Sequence, residues 1–240
     1  MNDNVLEQAL IWLNDPLNWS GPGGVPALTG EHLAMSAAAV ALAASLALPL
    51  GVWLGHHGKG ATATVVVVNT SRALPTLALL FIFAASGIGF GNLPTVLAAA
   101  VFAVPPILAN AVAGIAGVDP TTRDAARGMG LSGTRRLLQV ELPLAVPLIS
   151  AGVRTATVQV IATIPLAALV GGGGLGTIVV TGFATRRFGE VVAGGLLVVL
   201  VSLAAEGLLA VAQRWSTPRG LRAGHRLLRG SVARRIGRRH

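Results

Sequence analysis

Apolar positions in this chain gather into long runs, and five of them approach the length of a membrane crossing. Leu33 to Leu54 is apolar and free of charge. Ala61 to about Phe83 follows, with Asn69, Arg72 and Pro75 inside it. Leu93 to Val118 is uncharged, and its Pro105-Pro106 pair predicts a kink or a break. Leu144 to about Val170 holds Arg154 and Gln159, and Val191 to Val211 carries Glu206 near its end. A helix needs roughly 20 apolar residues to span the hydrocarbon core, so the pattern predicts an all-α, polytopic membrane helical bundle of five spans.

The polar intervals divide these runs. Within residues 1–30, Val5, Leu6, Ala9, Leu10 and Leu13 recur at helical spacing beside Trp12 and Trp19. That segment reads either as a short interfacial helix followed by a Pro/Gly-rich loop over 18–26, or as a partly disordered terminus. It lacks the basic start of a signal peptide. His56-His57-Gly58-Lys59-Gly60 reads as an interfacial loop, since no carboxylate or further ligand lies beside the two histidines in sequence. Ser86 to Asn92 is a turn, and Gly171 to Gly176 is too flexible to continue a regular helix unaided.

Composition agrees with a membrane protein. Of 240 residues, 53% are hydrophobic and only 11% charged, where soluble domains carry about 25% charged residues. There are 31 glycines, which membrane helices use for close backbone approach. The absence of cysteine removes disulfides, thiolate metal sites and cysteine nucleophiles. Nine of the 18 basic residues lie between Arg214 and Arg239, directly after the last apolar run. Such a tail is an anchor that touches anionic lipid, so the net charge of +9 does not imply nucleic acid as a partner.

Lysine and arginine placement sets an orientation. Lys59, the central arginines and the C-terminal arginines follow spans one, three and five, which places those loops in the cytoplasm and the N-terminus outside. Arg186 and Arg187 fall on the other side and leave open a sixth span or a re-entrant piece between Gly171 and Gly189.

One polar interval is long and regular, from Asp119 to Pro147, and it carries Arg123, Arg127, Arg135 and Arg136. Asp119-Pro120 starts a helix, because aspartate caps free amides and proline is tolerated in the first turn. The helix should stop near Gly128 or Gly130, where glycine can turn left-handed. Ser132 can cap a second short helix carrying Thr134 through Val140, and Pro143 then begins the next span. Two short helices with a glycine bend make a compact knob.

Within that knob, Asp124-Ala125-Ala126, then Gly130, then Val140-Glu141-Leu142-Pro143 stand in register with the EAA loop of bacterial ABC importer permeases. Asp124 replaces the usual Glu and Val140 the usual Ile. The chain resembles that family over about residues 31–212. The stretches 69–80, 118–130, 141–147, 152–156 and 167–176 resemble its osmoprotectant branch, the glycine betaine/carnitine/choline permeases. Methionine and other small-solute permeases share the loop and the Gly-Gly-Leu-Gly tract, so another solute such as an amino acid stays open.

The resemblance implies the five-span core of the type I ABC importer permease (MetI-like) fold. It divides the chain into an extracytoplasmic segment 1–30, a permease domain 31–213 with a coupling loop 119–143, and a basic cytoplasmic tail 214–240. It also implies a multi-pass protein of the bacterial inner membrane that works with cytoplasmic ATP-binding subunits, a second permease copy or paralogue, and an extracytoplasmic solute-binding protein. ATP and Mg would be used by the ATPase partners. This chain has no phosphate-cradling G-x-x-x-x-G-K-[ST] motif, and Lys59 is its only lysine. Asp124 would contact the ATPase, with Ala125 and Ala126 small enough for close approach. Gly130 would set the bend, and Val140, Leu142 and Pro143 would join the knob to span four.

Polar residues inside the spans are the candidates for the pathway: Asn69, Arg72, Pro75, Arg154 and Gln159, with Asn110 beside them. The two arginines read either as pathway or gate residues, or as internal hydrogen-bonding or snorkelling groups. No catalytic or metal constellation appears in the spans. An ion-gradient-driven transporter is the remaining rival class, and Glu206 is the only carboxylate it could use inside a predicted span. Quaternary ammonium ions favour aromatic boxes, yet the chain has no Tyr and only 4% aromatics, so recognition would lie in the binding protein.

Overall fold

The computed structural model describes residues 4–58, 64, 66, 68 and 75–216. Lys59, Asn69, Arg72 and the basic tail beyond residue 216 lie outside the described residues. The described part contains helices, turns and bends, with no strand.

The chain opens with α1 (Val5–Asn14), capped by the Asn4 side chain on the Leu6 amide, and a 3₁₀ turn (Pro16–Trp19). Helix α2 (Val25–His56) starts earlier than its apolar run suggested, because Pro26 is tolerated in a first turn. The expected loop over 18–26 therefore shortens, and the expected boundary at residue 30 falls inside the helix. At 32 residues α2 is about 48 Å long, more than the hydrocarbon core requires. Helix α3 (Thr76–Phe83) ends in a π turn with a kink at Ser86 and Gly87.

Helix α4 (Asn92–Ala116) runs through Pro105 and Pro106 without the break allowed by the sequence. The Asn110 side-chain amide donates to the Pro106 carbonyl at 2.8 Å, one turn on. After α5 (Pro120–Gly128) comes a single turn, α6 (Gly133–Arg136), then a π turn (Leu137–Glu141) and α7 (Leu142–Thr163). A 3₁₀ stretch (Ile164–Val170) finishes this rod, which is continuous from Gly133 to Val170. The expected separate helix ahead of a span beginning at Pro143 is thus one helix with that span. Pro143 has no amide to donate, and the wider π turn directly before it lets the Leu142 amide reach the Leu137 carbonyl.

Helix α8 (Gly176–Ala184) has nine residues, about 14 Å, which is too short to cross; no sixth spanning helix arises there. Helix α9 (Phe188–Ser216) closes the described chain. Four helical stretches are long and apolar enough to cross a membrane: Val25–His56, Asn92–Ala116, Gly133–Val170 and Phe188–Trp215. His56 contacts Glu141 at one end of the bundle, and Asn92 contacts Glu31 at the other. Eleven of the 23 residues from 61 to 83, where the sequence places a further span, lie outside the described residues.

Small residues hold α2, α4 and α7 together. Ala39, Ala43, Ala47, Gly51 and Gly55 recur every four residues along α2 and face Ala103, Ile107, Leu108, Ala111, Val112 and Ile115 of α4. A Cβ on Gly51 would sit 2.6 Å from the Ala111 Cβ, and one on Gly55 would sit 2.8 Å from the Ile115 Cβ. Gly152 of α7 meets α4 in the same way, at the Asn110 Cβ and the Pro106 carbonyl. Without a hydrophobic drive between helices in lipid, this backbone proximity supplies the dispersion contacts that hold them.

Gly51→Leu should therefore split α2 from α4 and cost about 1–3 kcal/mol or more, as overpacking does. Gly207→Ala, where an added Cβ meets nothing within 4 Å, should leave the thermal midpoint in detergent unchanged.

Candidate functional site

The polar interval folds as a knob at the His56 end of the bundle. Asp119 caps α5, its carboxylate accepting from the Thr121 amide at 2.7 Å and the Thr121 hydroxyl at 2.6 Å. These donors hold the Asp119 carboxyl below its usual range. At the other end the Leu131 amide reaches the Ala126 carbonyl, and the Gly130 amide reaches the Arg127 carbonyl. This is a Schellman closure, and it requires a left-handed residue, which Gly130 supplies at φ +78°. Ser132 then caps α6 through the Arg135 amide.

Helix α5 has two faces. Ala126 is buried at 1% exposure, and Arg123 turns inward, where its guanidinium donates to the Ile115 carbonyl at the end of α4. Asp124 and Arg127 point outward, paired with each other at 3.2 Å with side chains 69% and 61% exposed. Ala125, Gly128, Met129 and Gly130 are exposed beside them, so the two alanines of the motif face opposite ways. Val140 and Leu142 are half-buried at the root of the knob, and Pro143 is exposed.

Beneath the knob lies a group of side chains that sequence reasoning missed. Glu141 is fully buried. His56 Nδ1 donates to its Oε2 at 2.5 Å, and Arg136 Nε donates to its Oε1 at 3.0 Å. Arg123 Nε lies 3.4 Å from the same Oε1, an ionic contact without hydrogen-bond geometry. His56 is therefore the last residue of α2, with a carboxylate partner 85 positions away, and is not part of a plain interfacial loop. A signal was present in the sequence: Glu141 is a lone carboxylate between apolar neighbours, which needs a cation when buried.

A second feature is a cavity of about 680 Å³ between α4, α7 and the start of α3. Phe102, Asn110, Thr155, Gln159 and Thr163 line it, together with Thr76, the neighbour of Pro75. Arg154 points elsewhere. It pairs with Glu206 at 3.0 Å and donates to Gln213 at 2.7 Å, while Gln213 donates to the Pro147 carbonyl at 3.0 Å. Of the polar span residues named from sequence, Gln159 and Asn110 meet in the cavity, and Arg154 ties α7 to α9.

At the far end the glycine tract is held from outside. The Gly174 amide donates to Glu31 Oε2 at 3.0 Å, the Gly173 amide to Asn92 Oδ1 at 2.8 Å, and Asn92 to Glu31 Oε1 at 2.7 Å. Gly171 ends the 3₁₀ stretch in a left-handed turn.

Residues 47–219 match the family described as binding-protein-dependent transport system inner membrane component. The glycine betaine/carnitine/choline transport system permease protein OpuCB of Bacillus subtilis is 39% identical over 193 residues, covering 80% of this chain and 88% of that protein. The osmoprotectant import permease protein OsmW of Salmonella typhimurium is 34% identical over 204 residues, covering 83% and 95%. Among solved structures, the inward-facing MetNI methionine ABC transporter aligns with a TM-score of 0.66 at 21% identity, covering 78% of this chain and 94% of that one. An amino acid ABC transporter aligns with the same TM-score at 18% identity, covering 89% and 99%. At these identities the solved structures speak for the fold alone.

Gly130→Ala should cost about 1–2 kcal/mol of loop stability by forcing a Cβ into the left-handed region, read as faster amide exchange at Leu131. The Asp119 cap contributes stability above the unfolded carboxylate pKa, and it is lost as pH falls through the lower folded value. Exchange at the Thr121 amide should therefore accelerate only below the ordinary carboxylate range.

Proposed function

The chain belongs to the family of binding-protein-dependent transport system inner membrane components, and from that membership we propose that it carries an osmoprotectant-type solute across the membrane. It is a multi-pass permease subunit of an ABC importer, a transport protein and not an enzyme. The family implies ATP hydrolysis by partner subunits and solute delivery by a binding protein. The solute class we assign is that of glycine betaine, carnitine or choline. What carries it is the 39% identity with a permease of that name over four-fifths of the chain.

In this reading the knob over 119–143 is the coupling loop and lies in the cytoplasm, with residues 1–30 outside and the basic tail 214–240 inside. The exposed face of Asp124, Ala125, Arg127 and Met129 docks in a groove of an ATP-binding subunit, which uses ATP and Mg. Gly130 holds the bend of that face. Val140, Leu142 and Pro143 sit in the rod that joins it to α7, so a push on the knob meets a helix and not a hinge. Ala126 acts from inside, as the small residue that lets α5 lie flat on its base.

The solute passes along the cavity of Asn110, Thr155 and Gln159, closed on its open side by a second permease copy or a paralogue. The lining described is uncharged, with amide and hydroxyl groups, which suits a zwitterion or cation in transit without a tight site. We assign Asn69, Arg72 and Pro75 to the pathway or its gate from their place in the second apolar run, 61–83. Arg154 is assigned to the α7–α9 tie, and Glu206, occupied by that tie, does not suit an ion-coupling role.

Asp124→Lys or Gly130→Asp, with normal membrane insertion, should lower co-purification of the ATPase subunits and reduce uptake by about tenfold or more. Gln159→Leu should lower uptake while leaving the ATPase bound. Uptake that persists without any ATPase subunit and follows a proton or sodium gradient would exclude the importer reading. Competition by choline and glycine betaine, set against an amino acid, tests the solute class.

A further inference from the structure

The knob is joined covalently to α4 and α7, but α2 is remote from it in sequence, since 62 residues separate His56 from Asp119. Among the described residues, the hydrogen bond from α2 to this region runs from His56 to Glu141. The same carboxylate takes Arg136 from the first turn of the rod and Arg123 from the inner face of α5, whose guanidinium also reaches the last turn of α4. One buried side chain thus gathers α2, α4, α5 and the root of α7 at one point. Toward this end the rest of the α2–α4 contact is apolar, alanine and glycine of α2 against Leu108, Val112 and Ile115 of α4, and the directional bond described between the two helices, Asn92 to Glu31, lies at the far end of the bundle. Directional bonds to the Glu141 carboxylate therefore fix how α2 meets the loop at this end, where apolar packing alone would leave it free.

We propose that Glu141 is a positioning residue for transport, clamping the coupling loop through His56, Arg123 and Arg136 so that displacement of the loop moves α2 and α4 together with α7. This rests on the reading of the loop as the ATPase-docking element. The docking face is the opposite side of α5, where Asp124 and Arg127 are exposed, so docking and transmission are separable by substitution. Losing the carboxylate leaves two guanidinium groups and an imidazole facing one another, and the loop can then move without carrying α2.

The test uses the full complex of permease, ATPase subunits and binding protein in proteoliposomes, with solute uptake and ATP hydrolysis measured on the same sample. Glu141→Gln should retain its ATPase subunits and hydrolyse ATP within about twofold of the parent, while solute moved per ATP falls by about tenfold. His56→Gln cuts the link to α2 alone at a side chain only 13% exposed, and should lower the same ratio by about threefold in a complex that still assembles. A merely structural role would lower hydrolysis and uptake together and leave their ratio intact. An unchanged ratio in both variants overturns the proposal, and if Glu141→Gln does not assemble, the ratio in His56→Gln decides alone. ATPase subunits retained by Asp124→Lys count against the docking reading, whereas the ratio counts for or against the clamp.

Discussion

A carboxylate enclosed by protein costs several kcal/mol in lost hydration unless cations and donors replace the water. Glu141 meets that demand with three partners from three separate helical segments, so satisfying one side chain fixes how those segments sit. The short helix α5 cannot lie elsewhere without stranding Arg123 or Glu141. Its inner face is set by that requirement, and its outer face follows: Asp124 and Arg127, one position further round, must look away from the bundle. The exposed motif residues are presented by a knob whose base is held by ions and whose stalk is a continuous helix.

The opposite end solves a different problem with similar means. A run of glycines cannot hold a backbone path by itself, because each glycine surrenders more conformational entropy than any other residue. Glu31 and Asn92 accept from the Gly174 and Gly173 amides and bond to each other, so the path of the tract is imposed by α2 and α4. Between the two polar ends, alanine and glycine stripes give the close helix contacts that lipid would otherwise not enforce. Helix α9 is tied to α7 by Arg154, Glu206 and Gln213, and large apolar side chains such as Leu203 and Leu208 are exposed on it.

Much of this was legible from residue order because the signals are local. Apolar length marks the spans, Asp119 and Ser132 mark helix starts, and Gly130 marks a left-handed closure; each works through bonds a few residues long. The motif spacing of Asp124, Ala125, Ala126, Gly130 and Leu142-Pro143 named a family that the comparisons show. What misled was also local. Pro26 and Pro143 looked like boundaries, yet one sits in a first turn and the other follows a π turn, so both helices run past them.

Residue order by itself therefore determined an all-helical membrane chain, its family, and a polar knob with capped ends, since these depend on length, periodicity and short-range hydrogen bonds. Only the tertiary structure decided that Ala126 faces in while Ala125 faces out, that Arg154 is a tie and Gln159 lines a cavity, and that His56 belongs with Glu141. Those facts depend on which helices meet and at what rotation. That is set by the summed packing of distant small residues and by the need to pair buried charge, and neither is written in any one stretch of the chain.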